Sequence, residues 1–175
     1  MLTSRLPDKI EPYKLATRAE RLEGLMSLDN LVRLADAVGP QSGDCRVWLD
    51  FGVDAQGQRE IRGRLEADLE LPCRRCQMPM AQKVESEFLL GMVTSDALAA
   101  ELPNTHEPVL VENEQLNLLE VVEDELILSL PQVVYHDEAD CRVSRDQLSS
   151  GVEAEQSAAP AASPFEVLKR LKGKT

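Results

Sequence analysis

Arg59-Glu60-Ile61-Arg62-Gly63-Arg64-Leu65-Glu66-Ala67-Asp68-Leu69-Glu70-Leu71 alternates between apolar and charged side chains almost without a break. Successive side chains of an extended chain point to opposite faces. Ile61, Leu65, Ala67, Leu69 and Leu71 therefore share one side, and Arg62, Arg64, Glu66, Asp68 and Glu70 share the other. This is the pattern of a strand buried on one face and solvated on the other. Upstream, residues 45–53, with Val47, Trp48, Leu49 and Phe51, predict a second strand, joined through the turn-rich Asp54-Ala55-Gln56-Gly57-Gln58. Downstream, residues 80–93 alternate again, with Val84, Phe88 and Leu90 inward and Lys83, Glu85 and Glu87 outward. Three consecutive strands with short links imply an antiparallel meander.

An amphipathic sheet needs a cover. Ahead of it, Pro12 suits a first helical turn, Leu15, Ala16, Ala19 and Leu22 recur at helical spacing, and Gly24 is placed to stop the helix. Ser27 can cap a second helix with Leu28, Leu31, Val32, Ala35 and Val38 on one stripe, ended by Gly39-Pro40. Beyond the sheet, residues 108–111 suggest a further strand. Asn117 followed by Glu120 forms a capping box for a helix to Leu130, with Leu119, Val122 and Leu126 on one face and Glu123, Asp124 and Glu125 mostly off it. The expected fold is α+β: an antiparallel β-sheet meander covered by two N-terminal helices and one later helix. It forms a single domain over residues 1–147, followed by a flexible linker, 148–163, rich in Ser, Ala and Pro, and a short basic amphipathic tail, 164–175.

Composition narrows the function. Of 175 residues 43% are hydrophobic and 29% charged, a globular balance. Only six residues are aromatic, which is thin for a surface that stacks nucleic-acid bases on rings. The net charge of −12 is local: residues 96–141 hold twelve Asp and Glu and no Lys or Arg. Such a field repels phosphate and attracts basic partners. It is equally the mark of a solvated face kept acidic for solubility. The first residues lack a signal-peptide core, and no run of apolar residues is long enough to span a membrane, so a cytoplasmic protein with reduced or metal-bound cysteines is expected.

The sharpest local motif is Cys73-Arg74-Arg75-Cys76. Two thiolates at this spacing can hold one side of a zinc ion, and His136 and Cys141, five residues apart, are candidates to complete a tetrahedral Cys3His set. A structural Zn2+ site, free thiols and thiol redox chemistry all remain open at this level. The following Met78-Pro79 suits a turn better than the helix start that activates a redox thiol. Cys45 falls on an inward strand position and reads as a small buried hydrophobe. Consecutive Glu123, Asp124 and Glu125 on a helix diverge by about 100° per residue and cannot converge on one metal. No nucleophile-base set or phosphate cradle is legible, so no catalytic residue is assigned. Arg62, Arg64, Arg74 and Arg75, with Lys169, Arg170, Lys172 and Lys174 of the tail, are candidates for RNA or partner contact. Pairing of the strand arginines with Glu66, Asp68 and Glu70 is the competing reading. Glu120, Glu123, Asp124 and Glu125 form the candidate acidic partner face.

Four segments, in order, carry a family resemblance. They are Cys73-Arg74-Arg75-Cys76, the block from Asn117-Leu118-Leu119-Glu120 through Glu123-Asp124-Glu125-Leu126 to Leu130-Pro131, His136-Asp137 with Cys141, and the closing Ser163-Pro164-Phe165-Glu166-Val167-Leu168 with Leu171-Lys172. Together they resemble the YceD family of large ribosomal RNA subunit accumulation proteins. The resemblance implies a non-enzymatic ribosome-biogenesis factor in the bacterial cytoplasm that supports 23S ribosomal RNA accumulation. Its implied partner is a basic ribosomal or rRNA-processing protein, a 23S rRNA precursor, or both. Rival readings are a thiol-redox or metal-dependent rRNA-processing enzyme and a pure protein adaptor without RNA contact.

Overall fold

The structure is a computed structural model that describes residues 3–144 and 147. The chain divides into two units, Met1–His136 and Asp137–Thr175. The expected linker, 148–163, and basic tail, 164–175, lie outside the described residues, and Lys169, Arg170, Lys172 and Lys174 with them.

The first unit is built on the meander. Strand β3 (Asp44–Val53) is followed by β4 (Arg59–Pro72) and β5 (Pro79–Val93). β4 and β5 pair antiparallel from Glu60↔Gly91 to Pro72↔Pro79. The alternation of β4 is realised as expected: Leu65 is fully buried, Ile61, Ala67 and Leu69 almost so, while Arg62, Arg64, Asp68 and Glu70 face water. Asp54 shapes the β3–β4 turn, its Oδ1 accepting the N–H groups of Gln56 and Gln58 at 2.8 Å.

Two strands extend the meander. On one side β2 (Arg21–Ser27) pairs antiparallel with β3; on the other β6 (Glu107–Leu110) pairs parallel with β5, giving the order β2-β3-β4-β5-β6. A strand was expected at 108–111 and forms one residue earlier, at 107–110, but a parallel partner was not expected. A short helix α3 (Asp96–Ala99) lies in the connection that reverses the chain. A second, two-stranded sheet joins β1 (Lys9–Ile10) to β7 (Leu116–Asn117).

The N-terminal helices are shorter than their periodicity suggests. α1 covers only Pro12–Thr17, and Leu22, read as helical, and Gly24, read as the helix stop, belong to β2. The chain turns through Ala19 at φ 49°, and pairing overrides the helical pattern beyond it. β2 is held by β3 on one edge and by residues 4–6 on the other, where Leu6 N–H donates to Leu25 O at 3.0 Å and Leu25 N–H to Ser4 O at 2.8 Å. Only glycine fits at position 24, because a Cβ there would lie 2.6 Å from the Ser4 carbonyl oxygen. The second expected helix splits into a 3-10 turn, Leu28–Asn30, and α2 (Val32–Val38), closed by Gly39 at φ 94°. Ser27 does not cap it; its hydroxyl donates to Asp29 Oδ2 at 2.8 Å.

Helix α4 spans Leu118–Leu128, and Asn117 stands at its cap position without making a side-chain cap bond. Leu34 of α2, Val47 and Leu49 of β3, Leu65 of β4 and Val122 and Leu126 of α4 are fully buried in one cluster. Each such side chain contributes roughly 1.5–3 kcal/mol of transfer free energy. The helices thus cover one face of the sheet, and the opposite face carries the charged rows.

Candidate metal centre and charged faces

The β4–β5 hairpin ends in a tight knuckle. Cys73 N–H donates to Met78 O at 2.9 Å, Gln77 N–H returns to Cys73 O at 2.8 Å, and Gln77 takes φ 58° to close the turn. Backbone from the segment after α4 is laid along this knuckle: Arg74 N–H donates to Val134 O at 2.9 Å and Arg75 Nη2 to His136 O at 2.7 Å. The Arg75 guanidinium also stacks over the Tyr135 ring at 5.5 Å.

These contacts bring three potential ligand residues together across some sixty residues of sequence. Cys76 Sγ lies 3.4 Å from His136 Nδ1, and His136 N–H donates to Cys73 Sγ at 3.5 Å. The ligand atoms of Cys73, Cys76 and His136 lie within 4.8 Å of one another. Bonds of about 2.3 Å to sulfur and 2.0 Å to nitrogen place tetrahedral zinc ligands at separations of that order. Burial pushes the Cys73 thiol up, but the N–H groups of Cys76, His136 and Arg75 and the His136 ring stabilise its thiolate and bring the pKa down to about 5. Hydrogen bonds to Cys73 and then to Cys76 raise the His136 imidazole above its ordinary value. Cys141 belongs to the second unit, which opens with a turn in which Asp140 and Cys141 N–H groups both donate to Asp137 O at 3.0 Å. Cys45 is fully buried away from this knuckle, on β3, where burial pushes its thiol up to about 12.

The candidate arginines among the described residues do not converge. Arg62 and Arg64 stand on the outer face of the sheet, where Arg62 Nε meets Glu60 at 3.0 Å and Arg64 Nη2 meets Glu66 at 2.6 Å. Glu66 also draws Arg46 at 3.1 Å and Lys83 at 3.7 Å. Arg64 further stacks over Trp48 at 5.9 Å. Arg74 and Arg75 sit instead at the knuckle, Arg74 exposed and Arg75 committed to the 135–136 backbone and ring.

The acidic helix is also divided. Glu120 and Asp124 are exposed, but Glu123 and Glu125, expected on the partner face, are buried at 5% and 7% exposure. For Glu123 the cause is α2, whose N-cap residue Leu31 has no side-chain acceptor. Glu123 Oε1 accepts the N–H of Arg33 at 2.6 Å and of Leu34 at 3.1 Å, while Oε2 pairs with Arg33 Nε at 2.8 Å. One helix thus caps another, satisfying N–H groups that the local sequence leaves orphaned. Asp124 Oδ1 takes Arg33 Nη1 at 2.5 Å. Glu125 turns toward β5, where Ser86 Oγ donates to its Oε2 at 3.4 Å. Burial, then the charges of Glu107 and Asp124, push this carboxyl up to about 7.

A second cluster was not anticipated. Asp54, Glu60 and His106 bring their ligand atoms within 4.8 Å, with His106 Nε2 3.1 Å from Glu60 Oε2. Arg62 already holds the other oxygen of Glu60, and the sequence separation of 46 between Glu60 and His106 carries no spacing signal that could have revealed the pair.

A family model described as large ribosomal RNA subunit accumulation protein YceD matches residues 61–172. The chain is also similar to the large ribosomal RNA subunit accumulation protein YceD of Haemophilus influenzae, 37% identical over 171 residues, which cover 97% of this chain and 98% of that protein. No solved structure matches.

Proposed function

Because the chain belongs to the YceD family of large ribosomal RNA subunit accumulation proteins, we propose that it is a cytoplasmic, non-enzymatic factor that promotes 23S ribosomal RNA accumulation by binding a basic protein of the large-subunit pathway. The observation that carries the reading is the extent of the similarity, 97% of the chain and nearly all of the relative. Charge supports the protein partner: the net −12 concentrates in 96–141, whereas Arg62 and Arg64 are engaged by carboxylates of their own sheet. Among the described residues no helix is long and apolar enough to cross a membrane.

Within the same reading, Cys73, Cys76 and His136 hold a structural Zn2+. The ion would staple the β4–β5 tip to the chain leaving α4. The buried Cys73, wrapped by backbone N–H donors, suits a closed structural site better than an exposed redox thiol.

The test is complementation in a bacterium lacking its own family member, scored by the ratio of 23S to 16S rRNA. The chain is expected to restore the ratio, and failure to do so at normal protein levels overturns the reading. Purified protein incubated with precursor 23S RNA and Mg2+, and separately with insulin disulfides, is expected to turn over neither. Sustained turnover of either substrate would make it an enzyme instead.

A further inference from the structure

Outside the knuckle, a groove runs between β6 and α4. It consists of two cavities of about 540 and 280 Å³ that share Pro108, Val109, Val121 and Asp124. Its wall is apolar at Leu90, Val109 and Ile127, with Leu110 and Leu128 left 42% and 73% exposed at its rims. Its charged lining is strongly biased: Glu107, Glu112, Glu120, Asp124 and Glu125 against a single lining base, Lys9, with one oxygen of Asp124 already held by Arg33. Apolar walls lower the local dielectric and focus this negative field.

The buried member of the set points to an occupant. Glu125 is 7% exposed, lines the smaller cavity, and has one protein partner, the Ser86 hydroxyl at 3.4 Å on Oε2. Its Oε1 meets no donor among the described residues, while Glu107 and Asp124 repel it from the same cavity. A nearly buried carboxylate in such company is costly unless it takes up a proton or a cation reaches it.

The sheet edge sets the manner of binding. Val111 N–H donates to Val93 O at 2.8 Å, so by alternation Val109 faces β5 and Pro108 and Leu110 face outward. Proline has no N–H, so the free edge of β6 offers one outward donor, at Leu110, and cannot template a ladder. Side chains, rather than strand addition, must supply the recognition.

We propose that the groove between β6 and α4 binds a basic segment of a partner protein, one Arg or Lys side chain entering the smaller cavity to pair with Glu125 and further cations meeting Glu107, Asp124 and Glu120. This rests on the proposed function and names the surface through which the basic partner is held.

The test uses the full chain and a fluorescein-labelled peptide of four Arg-Val repeats, followed by anisotropy at 50 and 200 mM salt. Glu125→Gln keeps the side chain's shape and is expected to weaken binding at least tenfold. Glu107→Gln and Asp124→Asn are expected to weaken it three- to tenfold, and Asp68→Asn on the outer sheet face less than twofold. Equal affinity of Glu125→Gln and the parent overturns the groove. Circular dichroism of each variant separates lost binding from lost fold. If the parent chain binds the peptide yet does not restore 23S rRNA, the functional reading fails and the groove stands. If it restores 23S rRNA and Glu125→Gln binds unchanged, the groove fails alone.

Discussion

Replacing Glu123 with alanine should be among the most damaging single changes in α4, although a carboxylate in a run of three acids looks expendable. The substitution removes the acceptor for Arg33 N–H at 2.6 Å and Leu34 N–H at 3.1 Å, and the ion-pair partner of Arg33 at 2.8 Å. Leu34 is fully buried, so its N–H gains no water in exchange. An orphaned buried donor costs roughly 1–3 kcal/mol. Loss of a helix cap costs about 1 kcal/mol, and the half-exposed ion pair adds about 1 kcal/mol or less. Relief of the carboxylate's own desolvation offsets part of this. The expected net loss is about 3 kcal/mol, against a domain stability on the order of 5–15 kcal/mol. Urea unfolding monitored by circular dichroism reads it as a fall in midpoint at unchanged slope. Glu123→Gln keeps one acceptor and should lose about half as much, Arg33→Ala should lose about 1 kcal/mol, and Glu120→Ala should be near neutral. A Glu123→Ala loss below about 1 kcal/mol, or an Arg33→Ala loss equal to it, refutes the capping role.

Three further outcomes are expected. Glu125 holds a proton in the folded state up to about pH 7 that the unfolded chain releases near its ordinary 4.5. Its burial is therefore harmless below pH 4.5 and costs progressively more stability from there to pH 7, with a ceiling of about 3 kcal/mol. Glu125→Gln should erase that slope relative to the parent in urea midpoints at pH 5 and pH 8, and parallel profiles would contradict it. Gly63→Ala places a Cβ 2.0 Å from Phe88 Cζ, so the ring must move, at about 1–3 kcal/mol. Phe88→Leu should rescue it in a double-mutant cycle, and additive losses would count against the contact. Protein purified without chelator should carry one zinc per chain, and Cys73→Ser should lose the metal and lower the thermal midpoint; elemental analysis well under one equivalent in the parent would sink the zinc assignment.

The meander was legible because β4 states its two faces residue by residue, and the neighbouring strands repeat the pattern at hairpin distance. β2 was not, because Leu15, Ala16, Ala19 and Leu22 fit a helical period and nothing local reveals that residues 21–27 are held between β3 and residues 4–6. The parallel placement of β6 was equally hidden, since an isolated run of four residues carries no partner information. At the site, the C-x-x-C spacing marked the knuckle, and the histidine that the structure brings to it was singled out by its chemistry. The direction of Glu123 could not be read from its own helix. It depends on Arg33 and on a missing local cap, 90 residues earlier.

That long reach bears on how the chain is made. The β1–β7 pairing joins Ile10 to Leu116, α2 waits for Glu123, and Cys73 meets His136, so each early element of the first unit is completed by a late one. At translation speeds of about 5–20 residues per second, the amides of Arg33 and Leu34 stay uncapped for about 5–18 s after synthesis. Until then the nascent chain exposes an apolar sheet face beside an unfinished helix, a period of vulnerability that ends only when the residues of α4 have cleared the exit tunnel.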